Sequence, residues 1–167
     1  MRYILRRREL IADDWHYLGE EAPAGAALIV PFGELLRAPQ WRDRAGPLGV
    51  RLAPADAAEA LAAQLPYLKL VAIEFPNPGD GRGYSQGHLL RERLGFAGEL
   101  RALGAGVRQD QVFFLARSGF DALELAPGED MAAALRAFER YDVAYQPGAA
   151  QLPLRRQRFF GDAAPGR

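Results

Sequence analysis

One βα unit stands out in the chain: residues 68–94 read LKLVAIEFPNPGDGRGYSQGHLLRERL. The first eight residues are mostly apolar and do not alternate with polar ones, which is typical of a parallel strand buried on both faces. Proline and glycine follow at 76–79, and Leu89, Leu90 and Leu94 then recur on one side of a predicted helix. The stretch therefore predicts a strand, a glycine-rich loop and a helix.

The same alternation of strand and helix extends from this unit in both directions. We predict strands at residues 26–31, 50–52, 68–75, 99–103, 121–125 and 143–145, and helices at 55–65, 84–94, 110–117 and 130–139. Residues 3–5 and 10–11 are apolar on either side of a charged RRRE turn, which is the pattern of an N-terminal β-hairpin. The pattern predicts an α/β fold with a mainly parallel sheet of repeated βα units.

Two architectures fit this order of elements, a partial (βα)-barrel and an open sheet, and we favour the barrel-like form. Five or six parallel strands are too few to close an eight-stranded barrel, so the hairpin or a second copy of the chain has to cover an open edge. We expect a single domain over residues 1–147. Residues 148–167 hold four arginines against one acid, Asp162, and predict a basic, flexible C-terminal tail.

Composition excludes several classes of function. The 167 residues include 21 basic and 21 acidic side chains, so net charge provides no general attraction to nucleic acid or to an anionic membrane. Cysteine is absent, which excludes disulfides, thiolate metal sites and iron–sulfur ligation by this chain. Two histidines are too few for a histidine-rich metal centre. No signal peptide or membrane-spanning stretch is apparent, and we expect a cytoplasmic protein.

The loop after the strand at 68–75 is the first candidate for a binding site, and we call residues 79–85 the first loop. Ligands of parallel α/β folds bind beyond the carboxyl ends of the strands. Three glycines allow close backbone approach, the helix N-terminus offers N–H groups, and Arg82 adds a guanidinium. We therefore expect an oxyanion or an anionic cofactor here, although an ordinary tight turn uses the same residues.

The roles inside the first loop have alternatives. Ser85 is either the helix N-cap or a ligand of the anion, and Asp80 either holds Arg82 or acts as a base. The dinucleotide fingerprint is not met, because Tyr84 stands where its third glycine belongs, and no P-loop is present.

Residues 104–111, the second loop, follow the strand predicted at 99–103. If that strand lies beside the strand at 68–75, Arg108 approaches Arg82 and two guanidiniums can clamp one anion. Asp110 also fits a helix N-cap. The complete set of predicted anion- or cofactor-binding residues is Glu74, Asp80, Gly81, Arg82, Gly83, Tyr84, Ser85, Arg91, Arg108, Asp110 and Gln111.

Other side chains near these loops have two readings each. Arg91 is either a surface partner of Glu92 or reaches back to the loop, and His88 is either a surface histidine or an acid or base. Glu74 ends a buried strand, where a carboxylate is unusual, so it is either paired with an arginine or functional. The neighbouring aromatics are expected in the core, namely Phe113, Phe114 and Phe120.

The chain resembles a bacterial family, a domain of unknown function whose members are described as oxidoreductases involved in sulfite reduction. The shared stretches are 51–54 (RLAP), 73–76 (IEFP), 80–86 (DGRGYSQ), 89–93 (LLRER), 98–102 (GELRA), 110–111 (DQ), 119–122 (GFDA) and 145–147 (YQP). Members of that family often have Cys where Ser118 stands, and Asp in place of Ala105. The resemblance implies a place beside sulfite reductase and other enzymes of assimilatory sulfur metabolism.

Three functions follow as expectations. The first is an accessory protein of assimilatory sulfate or sulfite reduction that binds an oxyanion or anionic cofactor at the first loop. The second is a flavin- or nicotinamide-linked oxidoreductase. The third is a docking module for sulfite reductase or another sulfur-assimilation enzyme, without a small ligand. A homo-oligomer is compatible with all three, and the residues identify no cofactor.

Overall fold

The centre of the molecule is strand β6 (Leu70–Glu74), whose first four residues are completely buried. The structure is a computed structural model that describes residues 2–7 and 9–139. Seven further strands are found in these residues: β1 (Tyr3–Arg6), β2 (Glu9–Ala12), β3 (Trp15–Tyr17), β4 (Ala27–Pro31), β5 (Leu48–Leu52), β7 (Glu99–Leu103) and β8 (Ala122–Leu123).

The eight strands form one sheet in the order β2-β1-β8-β7-β6-β5-β4-β3. All neighbours are parallel except β1, which is antiparallel to both β2 and β8. The helices are α1 (Phe32–Arg37), α2 (Arg82–His88), α3 (Val112–Arg117) and α4 (Met131–Glu139), and a π-helical turn, Leu89–Arg93, continues α2. Short 3-10 helices lie at Pro39–Asp43, Ala58–Leu61 and Leu65–Tyr67.

The sheet curls into a half-barrel. Its two edge strands, β2 and β3, are joined by Asp13 and Asp14 alone, and three Cα–Cα steps span at most about 11 Å. Tyr17 on β3 also donates a 2.8 Å hydrogen bond to Glu124, which follows β8. In a flat sheet those two strands would lie about 24 Å apart, because five strand spacings separate them. The face that carries Tyr17 and Glu124 is therefore concave.

Each face of the sheet has its own core because side chains alternate along a strand. The outer face packs the larger core against the helices, and it includes Val71, Ile73 and Phe75 of the β6 segment. The concave face holds a smaller apolar cluster, made of Trp15, Ile29, Leu70, Ala72 and Leu103. Residues 70, 72 and 74 thus point into the half-barrel, while 71, 73 and 75 point outward.

A polar network fills the rest of the concave face, and we call it the closing network: Arg2, Asp13, Tyr17, Glu99, Arg101 and Glu124. The Arg101 side chain is fully buried and donates to Asp13 Oδ2 (2.9 Å) and to Glu99 Oε1 (2.8 and 3.0 Å). Arg2 reaches the same Asp13 oxygen at 2.7 Å. Burial alone would raise the pKa of Asp13, but Arg101 and Arg2 hold it below its usual value.

Several predicted elements are confirmed, and others need correction. The strand at 99–103 is found with the same bounds, and β1 pairs antiparallel with β2. The helix predicted at 55–65 is wrong, because only two 3-10 segments form there. Gln86 Nε2 donates to the carbonyl oxygens of Ala53 and Asp56 and so ties the start of this segment to α2. Strand β3 and helix α1 were not predicted.

The aromatic prediction is wrong for Phe114, which is 54% exposed. Helix α3 turns Val112 and Leu115 toward the core. Phe114 comes two residues after Val112, which is more than half a helical turn, so its side chain faces away from the core. Phe120 is buried as predicted.

Two predicted segments, the strand at 143–145 and the tail at 148–167, lie outside the described residues. Among residues 2–7 and 9–139, none of the helices combines the length and the apolar character that crossing a bilayer demands.

The closing network predicts a large cost for removing its central charge. Arg101→Ala leaves the carboxylates of Asp13 and Glu99 in the interior without their shared cation, so we expect the free energy of unfolding to fall by about 3–5 kcal/mol. Urea denaturation followed by circular dichroism measures this change. Arg101→Lys keeps the charge but not the fork of donors, so its free energy of unfolding should lie between those of the wild type and of Arg101→Ala.

The matched control is Arg93→Ala, since Arg93 is exposed and makes no hydrogen bond or ion pair with described residues. Its free energy of unfolding should stay within about 0.5 kcal/mol of the wild type. Equal urea midpoints for Arg101→Ala and Arg93→Ala would show that the network does not hold the sheet.

Candidate functional site

The first loop leaves the carboxyl end of β6 and is fixed by Asp80. Asp80 Oδ1 accepts the backbone N–H (3.1 Å) and Nε–H (2.9 Å) of Arg82, and Asp80 Oδ2 accepts from Arg82 Nη2 at 2.6 Å. The Arg82 guanidinium, and then its backbone N–H, hold the pKa of Asp80 below its usual value. Of the two predicted roles for Asp80, the structure bears out the holding of Arg82. The Arg82 side chain remains 62% exposed.

Helix α2 begins at Arg82, so the prediction of Ser85 as its N-cap is wrong. Gly81 is the N-cap residue, and the Asp80 carboxylate accepts the Arg82 N–H in the place of a capping side chain. Ser85 lies one turn into the helix and is exposed. Gly83 lies against the ring of Phe75, where a Cβ atom would come within 2.5 Å of the ring.

The second loop leaves the carboxyl end of β7, the strand beside β6. Glu129 holds it from the other side: its carboxylate accepts the Gln109 N–H at 2.8 Å and lies 3.3 Å from Arg108 Nε. The Arg108 side chain is 53% exposed. Each predicted loop therefore presents one exposed guanidinium that an acid fixes in place.

The two loops touch. Tyr84 donates from its hydroxyl to Gln111 Oε1 at 3.0 Å, and the Gly106 N–H donates to the Phe75 carbonyl at 2.8 Å. Burial, and then the charge of Asp110, raise the pKa of the Tyr84 hydroxyl. The predicted adjacency of the two strands is confirmed, and the structure brings together Tyr84, Asp110 and Gln111, with Arg82 and Arg108 at the same end of the sheet.

Arg91 lies at the opposite end of the sheet. It donates to the carbonyls of Gly98 (2.8 Å) and Gly119 (3.0 Å), and it pairs with Asp121. These acceptors precede β7 and β8, so the guanidinium ties together the amino ends of the strands. Neither predicted reading holds: Arg91 does not pair with Glu92 and does not reach the first loop.

Two further predicted residues have simple surroundings. Asp110 is exposed and is not a cap, because α3 begins at Val112 and its N-cap residue is Gln111. His88 is exposed at the last position of α2.

Glu74 lies on the concave face, at the carboxyl end of β6, and is half-buried. It makes no ion pair or side-chain hydrogen bond with the described residues, so the predicted arginine partner is not found among them. On the neighbouring strand, Arg51 occupies the same face and is exposed. The sequence analysis did not select Arg51, although its position between the apolar Val50 and Leu52 is the alternation that could have found it.

Gln86 is a second residue that the sequence analysis missed. Its side chain is buried, and its Nε2 donates to the carbonyls of Ala53 and Asp56 at 2.9 Å each. It thereby ties α2 to the loop that follows β5. Only its place between Ser85 and Gly87 in the shared 80–86 stretch marked it in the sequence.

Each exposed guanidinium at this edge lies beside one carboxylate. Within the described ranges, no three His, Asp or Glu side chains are grouped as metal ligands would be. Arg82 donates two side-chain hydrogen bonds to Asp80, whereas Arg108 Nε lies at ion-pair distance from Glu129, so both guanidiniums keep further N–H donors. Both guanidiniums remain more than half exposed at this edge, and Asp80 and Glu129 reduce its positive charge.

Comparison with known proteins adds one match. The family model of DUF934, a bacterial protein of unknown function, matches residues 49–154, a range that includes both loops. A comparison with curated proteins found no match.

The contact between the loops predicts a strict size limit at Gly106. A Cβ atom there would lie 2.5 Å from the Asn77 carbonyl oxygen, which is backbone and cannot move aside cheaply. We expect Gly106→Ala to lower the free energy of unfolding by about 1–3 kcal/mol and to weaken the Tyr84–Gln111 contact. Thermal unfolding measures the first effect, and hydrogen exchange in residues 79–85 measures the second.

Gly81→Ala is the control, because Gly81 has φ −82° and nothing lies within 4 Å of its added Cβ. Alanine is a poorer N-cap residue than glycine but loses less chain entropy on folding, so the free energy of unfolding of that variant should stay within about 0.5 kcal/mol of the wild type. A destabilised Gly81→Ala together with a neutral Gly106→Ala would contradict the described loop contact.

Proposed function

The chain belongs to the bacterial family of unknown function DUF934, and from that premise we propose that it is an accessory protein of assimilatory sulfite reduction that binds a small oxyanion between the first and second loops. The oxyanion of that pathway step is sulfite, which offers negative charge and three acceptor oxygens. In this proposal Arg82 and Arg108 bind the anion, and Tyr84 and Gln111 hold the two loops together.

One observation carries the proposal: the hydrogen bond of 3.0 Å from Tyr84 to Gln111 joins the two loops that bear the exposed arginines. Planar guanidiniums suit oxyanions because they donate several parallel hydrogen bonds. Asp80 and Glu129 fix the arginines before a ligand arrives, which lowers the entropy that binding has to overcome. The same acids also repel an anion, so the binding is weak and sensitive to salt.

The place in sulfite reduction is supported by the resemblance over eight stretches between residues 51 and 147, and the accessory role by composition. Iron–sulfur clusters are held by cysteine thiolates, and this chain has no cysteine. The protein would therefore bind or deliver the anion while another protein performs the reduction.

The two alternative functions stay predictions. A flavin- or nicotinamide-linked reductase would be yellow or would bind a nicotinamide cofactor. A docking module would co-purify with sulfite reductase without any effect of an anion. Both outcomes are read directly from the purified protein.

Anion binding makes a specific prediction about Asp80. Asp80→Asn keeps an oxygen for the Arg82 N–H but removes the charge that competes with the ligand, so sulfite should bind several-fold more tightly than to the wild type. Arg82→Ala and Arg108→Ala should each weaken binding by about tenfold or more, because each removes a charged hydrogen-bond donor. Isothermal titration with sulfite, sulfate and phosphate at low ionic strength provides the measurement.

Arg93→Ala is again the matched control, since it removes one exposed arginine elsewhere. Unchanged affinity in Arg82→Ala, or an equal loss in Arg93→Ala, would reject a site at the two loops and leave only a general charge effect.

The pathway is tested in the bacterial host. Deletion of the gene should abolish or slow growth on sulfate and on sulfite as sole sulfur source, while sulfide restores it, because sulfide lies beyond the reduction step. Complementation with the wild-type gene should restore growth on sulfite, and complementation with Arg82→Ala should not. Normal growth of the deletion strain on all three sources would refute the pathway.

A further inference from the structure

Two opposite charges, Arg51 and Glu74, lie on neighbouring strands of the concave face, and neither side chain has a partner among the described residues. Val50, Leu52, Ile73 and Phe75 all belong to the outer core, so Arg51 and Glu74 point into the half-barrel. In the parallel register of β5 and β6, Arg51 lies opposite Ala72, and Glu74 follows two residues later. Both residues are at the carboxyl ends of their strands, where half-barrels and barrels bind their ligands.

Neither side chain belongs to the closing network. The other charges of this face on β7 and after β8 are all paired: Glu99 with Arg101, Arg101 also with Asp13, and Glu124 with Tyr17. Arg51 and Glu74, in contrast, make no hydrogen bond or ion pair through their side chains with the described residues. A half-buried carboxylate has lost part of its hydration without gaining a partner, which is the situation of a group that awaits a ligand.

The separation of the two charges defines what fits between them. With a strand spacing of about 4.8 Å and a rise of about 3.3 Å per residue, their Cα atoms are about 8 Å apart. The side chains are long enough to meet, yet no ion pair forms between them. Ala72 on β6 lies opposite Arg51, and Leu103 on β7 lies opposite Glu74, so the side chains in register with the two charges are apolar.

We infer that Arg51 and Glu74 bind a small zwitterion, that is, a molecule with an anionic group and an ammonium group a few bonds apart. Arg51 takes the carboxylate or sulfonate, and Glu74 takes the ammonium. This concave site is distinct from the two loops, because the start of α2 packs on Phe75 at the outer face. It does not depend on the proposed oxyanion site.

The test uses the full chain and two matched pairs of probes. Taurine and ethanesulfonate share a sulfonate, β-alanine and propionate share a carboxylate, and only the first member of each pair has the ammonium group. Titrations followed by proton–nitrogen NMR should shift the amides of residues 49–52 and 71–74. We expect taurine to bind about tenfold more tightly than ethanesulfonate, and β-alanine about tenfold more tightly than propionate. One additional charged hydrogen bond, from the ammonium group to Glu74, accounts for a difference of this size.

The variants assign the two charges. Glu74→Gln should remove the preference for the zwitterion, and Arg51→Gln should remove the binding of all four probes. Since neither side chain has a partner to lose in the described part of the chain, both variants should keep the thermal midpoint within roughly 2 °C or raise it. Glu92→Gln and Arg93→Gln are the controls, because both are exposed and make no side-chain hydrogen bond or ion pair with described residues.

Several results would overturn the inference. These are equal affinity for the two members of each pair, no shift in residues 49–52 and 71–74 at tens of millimolar probe, or the same losses in the control variants. A clear fall of the thermal midpoint in Arg51→Gln and Glu74→Gln would show that the two residues are structural.

Discussion

The curvature of the sheet depends on a buried arginine. Arg101 lies in the middle of β7 and has no exposed surface, yet it carries a full positive charge. Asp13 and Glu99 accept its hydrogen bonds, and Asp13 belongs to the two-residue link between the edge strands. A charge buried without such partners would be very unfavourable, so the sheet has to bring Asp13 to Arg101. The pairing of Arg101 with Asp13 thereby holds the link between the edge strands β2 and β3 against the concave face of the sheet.

The position of the candidate sites follows from that curvature. The closing network occupies the concave face from the amino end of β7 to Glu124, and it does not include the charges at the carboxyl ends of β5 and β6, which have no polar partner within residues 2–7 and 9–139. The outer face is filled by the helices, so α2 begins against Phe75 and the two arginine-bearing loops meet beyond β6 and β7. Both candidate sites thus lie at one end of the sheet, and Arg91 ties the strands together at the other end.

Sequence reasoning located the parts whose signal is local. The continuous apolar run at 70–73 predicted a strand buried on both faces, and the glycine-rich segment after it predicted a loop at the start of a helix. It misjudged parts whose partners are distant in sequence. Arg91, for example, binds Gly119 and Asp121, about thirty residues away. The error at Ser85 has a local cause, because the Asp80 carboxylate accepts the Arg82 N–H at the start of α2. The alanine-rich segment at 55–65 forms 3-10 segments in place of the predicted helix, and the Asp56 carbonyl near its start is bound by Gln86, 30 residues away.

The residue pattern alone was sufficient for the α/β class, for the strand at the centre, and for the absence of any cysteine chemistry, because each rests on composition or on periodicity over a few residues. The curvature of the sheet, the burial of Arg101, the contact between the two loops and the unpaired state of Arg51 and Glu74 came only with the folded chain. These features join residues that are as much as 107 positions apart, as in Tyr17 and Glu124. No local pattern encodes such a contact, since it exists only when the register of all the intervening strands is in place.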